Sequence, residues 1–79
     1  MKVLIVDDEP LAREGLRLLL ATEPDIEIAG ECGDGNVAVA MLTATRPDLV
    51  FLDINMPGLS GLEVVQQLGP AQMPLVIFL

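Results

Sequence analysis

DLVFLDINMPGLSG, Asp48 to Gly61, is the stretch on which the fold turns. Leu49, Val50, Phe51 and Leu52 form a short continuous apolar run, and a run of that length bounded by turn residues reads as a strand buried on both faces. Asp53 follows at once, and Pro57, Gly58 and Gly61 then interrupt regular structure. A carboxylate therefore stands where a buried strand leaves its sheet. In an open parallel sheet, ligands collect outside the carboxyl ends of the strands. Taken alone, such an aspartate is equally well a solvated strand end; the rest of the chain has to decide.

Upstream, Met1–Val6 (MKVLIV) is a second short apolar run, cut off by Asp7, Asp8 and Glu9 before it could serve as a secretory signal. Pro10 suits a first helical position. Leu11, Ala12, Leu16, Leu19 and Leu20 fall at helical spacing, with Arg13, Glu14 and Arg17 on the other side. Ile26, Ile28 and Gly30 alternate with Glu27, Ala29 and Glu31, the signature of a half-buried strand. Asp34-Gly35-Asn36 starts a second helix whose expected buried stripe is Val37, Ala38, Met41 and Leu42. Downstream of the opening stretch, Ser60 and Glu63 are spaced as a capping box, so a third helix begins near Gly61, with Leu62, Val65 and Leu68 expected inside. Gly69-Pro70 stops it, and Met73–Leu79 (MPLVIFL) is a fourth strand.

Strands alternating with helices imply right-handed crossovers and a doubly wound, parallel α/β sheet. At 79 residues the chain is one domain or part of one. Twelve acidic residues against four basic ones give a formal net charge of −8. Phosphate backbones repel such a chain, so direct nucleic-acid binding is not expected; divalent cations and basic partner surfaces are attracted. No apolar run approaches the roughly 20 residues of a bilayer span. Cys32 is the single cysteine, which excludes an internal disulfide and suits a small buried hydrophobe in a reducing compartment. With no histidine, imidazole acid–base catalysis and histidine-ligated metal are excluded.

If the first and third strands are neighbours, Asp7, Asp8 and Asp53 meet at one edge of the sheet. Two carboxylates about 5 Å apart repel by roughly 3 kcal/mol at an effective dielectric near 20. Gathering three needs a counter-charge. Mg²⁺, which binds through one or two carboxylates, water and phosphate oxygens, is the natural one.

With those motifs in hand, the sequence resembles a response-regulator receiver domain of the two-component phosphorelay type. The resemblance is carried by VLIVDDEPLAR (Val3–Arg13), GDG (Gly33–Gly35) and PDLVFLDINMPGLSGLE (Pro47–Glu63), and it covers the whole chain. It implies a flavodoxin-like sheet of order 2-1-3-4, with residues 1–79 forming the N-terminal part of a receiver domain whose fifth strand and last helices lie beyond Leu79. It also implies Asp53 as phosphoryl acceptor, and Mg²⁺ (or Mn²⁺) bound by Asp8, Asp53 and the Asn55 backbone carbonyl, with Asp7 acting mainly through water. The partner implied is a histidine kinase or phosphotransfer protein in the cytoplasm, and the domain is a phosphoacceptor, not a stand-alone catalyst. DDEPLAR further resembles regulators that carry a LytTR-type DNA-binding domain. The chemistry suits the residues: a carboxylate can attack phosphorus in line without a protein base, because it has no proton to lose.

In the family, a Ser or Thr and a Lys follow beyond the point corresponding to Leu79; the only lysine here is Lys2. The expectations that follow are self-association through an exposed fourth strand and, as an alternative role, a non-switching structural or interaction fragment. Haloacid-dehalogenase-like phosphatases also use an aspartate nucleophile with Mg²⁺, but their two aspartates lie two apart after the first strand, whereas Asp7 is followed directly by Asp8-Glu9.

Overall fold

The computed structural model describes every residue, Met1–Leu79. Its elements run β1 (Lys2–Val6), α1 (Pro10–Leu20), β2 (Glu27–Cys32), α2 (Gly35–Thr45), β3 (Leu49–Leu52), α3 (Gly61–Leu68) and β4 (Leu75–Phe78), with a 3₁₀ turn at Pro70–Gln72. The four strands form one parallel sheet in the order β2-β1-β3-β4. The chain steps one way from β1 to β2, then crosses back over β1 to β3. Because each crossover is right-handed, that reversal puts α1 on one face of the sheet and α2 and α3 on the other.

The core follows from this arrangement. Leu4 and Val6 of β1 and Val50 and Leu52 of β3 point to the same face, where Ala38, Leu42, Met56 and Val64 close over them. On the α1 face, Val3 and Ile5 are fully buried, yet α1 itself contains no buried residue. Along β4, Leu75 is 72% exposed and Ile77 and Phe78 are exposed, as is Leu79 just after the strand.

Three inward stripes differ from the expectation. In α1, Leu11 and Leu19 lie outside, and Arg13 turns inward with Leu16 and Leu20. A hydrogen bond from Arg13 to the Asp7 carbonyl sets that rotation. In α2, Ala38 and Leu42 are buried as expected, but Val37 is exposed. In α3 the inward residues are Gly61 and Val64, with Val65 and Leu68 half-buried, while Leu62 faces water. There, Gly61 lies so close to the Asp53 carbonyl that a Cβ would collide with it, which fixes the helix phase and brings Val64, three residues on, into the core. The β2 alternation is also broken: Val3 pairs with Ile28 but Leu4 with Gly30, leaving an irregularity at Ala29.

Candidate functional site

β1 and β3 are hydrogen-bonded neighbours, and both end at acidic residues. This is the switch point of the sheet, where the chain's direction of travel reverses. Asp7 continues β1, its N–H donating to the Cys32 carbonyl at 3.0 Å, and Asp53 continues β3, its N–H donating to the Val6 carbonyl at 2.8 Å. Two ladder-like bonds thus fix the roots of both aspartates. One carboxylate oxygen from each of Asp7, Asp8 and Asp53 lies within 4.8 Å of the others. Asp7 is buried, Asp53 half-buried and Asp8 exposed.

Two of the carboxylates are aimed by backbone donors. Asp7 Oδ1 accepts from the Glu9 N–H at 2.9 Å, and Asp53 Oδ1 accepts from the Asn55 N–H at 3.1 Å. No donor holds Asp8. The Asn55 carbonyl accepts no hydrogen bond from the chain, so its lone pairs are free. Met56, buried in the core, anchors the loop that carries Asn55.

None of the three carboxylates forms a salt bridge; the two ion pairs of the chain join Arg13 and Arg17 to Glu31. Loss of hydration raises the Asp53 pKa above the ordinary carboxylate value; Asp8 and Asp7 add to that rise, and the Asn55 N–H opposes it. The Arg17 hydrogen bond, with help from Arg13, lowers that of Glu31 against its partial desolvation. The cluster is therefore an uncompensated set of oxygen donors, the donor chemistry of a hard divalent cation and not of a soft one.

The structure thus brings Asp7, Asp8 and Asp53 together as expected, with Asn55 attached through its N–H. It adds a residue that the sequence reading set on the outer face of α1. Arg13 Nη1 donates to the Asp7 carbonyl at 2.6 Å, while its Nε lies 3.4 Å from Glu31 Oε1. The available signal was Glu31: a carboxylate in a half-buried strand calls for a cation from the helix packed beside it. The glycines of the GDG motif have steric roles here. A Cβ on Gly35 would strike the Leu59 carbonyl, so the start of α2 packs tightly on the loop after β3.

Residues 3–79 match the family described as the response regulator receiver domain. Among curated proteins, the chain is similar to the transcriptional regulatory protein BtsR of Salmonella typhi, with 56% identity over all 79 residues, which is 33% of that protein. The chain thus spans about a third of the length of the curated relatives it matches. Among solved structures, it resembles the response regulator domain of Thermotoga maritima CheB, with a TM-score of 0.89 and 34% identity over 99% of this chain and 58% of that one. It also resembles the response regulatory domain of mrkE from Klebsiella pneumoniae, with a TM-score of 0.87 and 39% identity over 99% of this chain and 65% of that one. The four-stranded parallel sheet and three helices are those of this flavodoxin-like fold.

Proposed function

The chain belongs to the response regulator receiver domain family of two-component systems, and from that premise we propose that Asp53 is its phosphoryl acceptor and that Asp8, Asp53 and the Asn55 carbonyl, assisted by Asp7, hold Mg²⁺ or Mn²⁺. The observation that carries this reading is the convergence of three carboxylates with no cation paired to any of them. The donor is a phosphohistidine on a histidine kinase or phosphotransfer protein in the cytoplasm, or a small phosphodonor. One carboxylate oxygen of Asp53 bonds to phosphorus as the donor's phosphorus–nitrogen bond breaks, and the imidazole leaves with the electron pair. When bound, a divalent cation supplies the positive charge that lets an anion approach an anionic phosphoryl group. The protein's own part is positioning: β3 and the Asn55 N–H aim Asp53, and Asp7 and Asp8 stand within 4.8 Å of its carboxylate, where they would hold the cation.

The module is read as a phosphoacceptor and not a stand-alone catalyst. It acts on an output domain; transcription control is the output we propose from its transcriptional regulatory relatives, and the resemblance of DDEPLAR adds a LytTR-type domain to that proposal. The chain by itself supplies no free cation at the site. Lys2 begins β1 and so lies about 16 Å along the strand from Asp7, Arg46 ends α2 ahead of β3, at the opposite end of that strand from Asp53, and Arg13 and Arg17 are paired to Glu31. This favours a second reading, in which the 79 residues alone accept phosphate slowly and do not switch. The exposed apolar residues of β4, on a strand paired along one edge only, support self-association of this chain; sedimentation at low concentration tests it, and a monomer contradicts it. The decisive experiment for the acceptor is intact-mass analysis after incubation with acetyl phosphate and Mg²⁺. Wild type gains one phosphoryl group and Asp53→Ala none; equal labelling of the two overturns the assignment.

A further inference from the structure

Of the three clustered carboxylates, Asp8 alone has no hydrogen-bond donor to aim it. Its direction is left to the peptide that joins it to Asp7. The N–H of Asp7 is tied to the Cys32 carbonyl, and its carbonyl to Arg13 Nη1 at 2.6 Å. A charge-assisted bond of that length resists rotation of the Asp7–Asp8 peptide plane, and that plane sets where the Asp8 side chain leaves the backbone. Arg13 is itself held. Its backbone N–H bonds the Glu9 carbonyl, its Nε faces Glu31, and its side chain is 21% exposed. Room for the guanidinium comes from Gly33, where a Cβ would stand 2.7 Å from Arg13 Nη1 and 3.2 Å from the Asp7 carbonyl oxygen.

We propose that Arg13 is a positioning residue: by gripping the Asp7 carbonyl it orients Asp8 toward Asp7 and Asp53 and so sets the affinity of the cluster for a divalent cation. The inference rests on the metal reading above. Glu31 has a matching part, because it neutralises a guanidinium that would otherwise repel the ion it helps to seat.

Simple electrostatics and positioning predict opposite signs, which makes the test sharp. Removing a positive charge near a cation site tightens binding if charge alone matters. Removing the grip weakens it, and partners that orient metal ligands are typically worth 10–100-fold in affinity. Mn²⁺ titration of the 79-residue chain, read by water-proton relaxation, gives the affinity; amide chemical shifts establish that each variant is folded. Arg13→Gln is expected to weaken Mn²⁺ about 10-fold or more, Arg13→Lys to recover part of the loss through a single donor, and Arg17→Gln to leave affinity unchanged. Gly33→Ala keeps the charge but crowds the guanidinium off the carbonyl and also presses on the Asp8 Cα, 3.3 Å from the added Cβ, so it should weaken binding by at least as much, and Arg13→Gln alone isolates the grip. A folded Arg13→Gln or Gly33→Ala that binds as tightly as wild type, or tighter, overturns the inference and leaves the metal reading intact. Wild type that fails to bind Mn²⁺ overturns both.

Discussion

Replacing Asp53 by asparagine should stabilise the metal-free chain, although it removes the residue on which the proposed function depends. At the widest separation in the cluster, 4.8 Å, each carboxylate pair repels by about 3.5 kcal/mol at an effective dielectric of 20. Asp53 takes part in two such pairs. Hydration of the exposed Asp8 and screening over a Debye length of about 8 Å reduce the recoverable part severalfold, to about 1–2 kcal/mol. The side-chain oxygen of Asn can still accept from the Asn55 N–H, so the substitution removes charge with little loss of structure. In a domain of this size, each kcal/mol moves Tm by about 4–8 °C. The assay is thermal melting in EDTA and again in excess Mg²⁺. Asp53→Asn should melt about 4–16 °C above wild type in EDTA, and the gap should shrink or reverse with Mg²⁺, because the ion stabilises wild type by mass action. If Asp53→Asn melts below wild type in EDTA, the cluster is not a store of repulsion and the case for a counter-ion fails.

The raised pKa of Asp53 fixes a second outcome. The folded state holds that proton at a higher pH than the unfolded chain does, so stability falls as pH rises from the ordinary carboxylate range through the folded-state pKa. The stability difference between wild type and Asp53→Asn, measured by urea unfolding in EDTA, should therefore be largest at pH 7 and narrow toward pH 4; a difference that widens on acidification contradicts this. Gly61→Ala pushes a Cβ into the Asp53 carbonyl, at a cost of roughly 1–3 kcal/mol, and because that backbone carries the Asp53 carboxylate, Mn²⁺ affinity should fall along with the urea midpoint. Ser60→Ala removes one half of the reciprocal capping box of α3, at a cost of about 1 kcal/mol, and should leave Mn²⁺ affinity unchanged.

The elements and the acidic site were legible because their signals are local. The run Leu49–Leu52 ends where β3 ends, Ser60 and Glu63 cap α3 reciprocally, and Pro10 opens α1. The rotation of the helices was not legible, because distant atoms decide it. Nothing within Pro10–Leu20 says that Arg13 will find the carbonyl of Asp7 and a carboxylate on β2, and without that knowledge the leucines vote for a different face. Similarly, Leu62 looks like a core residue until Gly61 is known to press against Asp53. The break in β2 depends on the pairing register with β1, which alternation along one strand does not contain.

The one-sided core also orders how the molecule loosens. Strands β1 and β3 contribute to the buried cluster with α2 and α3, while α1 sends no residue into it. Segments with few buried contacts open first, and their amide hydrogens exchange with solvent long before those of the central strands. The acidic pair sits on the seam between these two regimes: Asp7 extends β1, and its carboxylate holds the Glu9 N–H at the threshold of α1. An ion shared by Asp8 and Asp53 would staple the leading turn of the loosest helix to the slowest-opening strands. Its arrival would be written in the exchange rates of α1 and not in any change of shape.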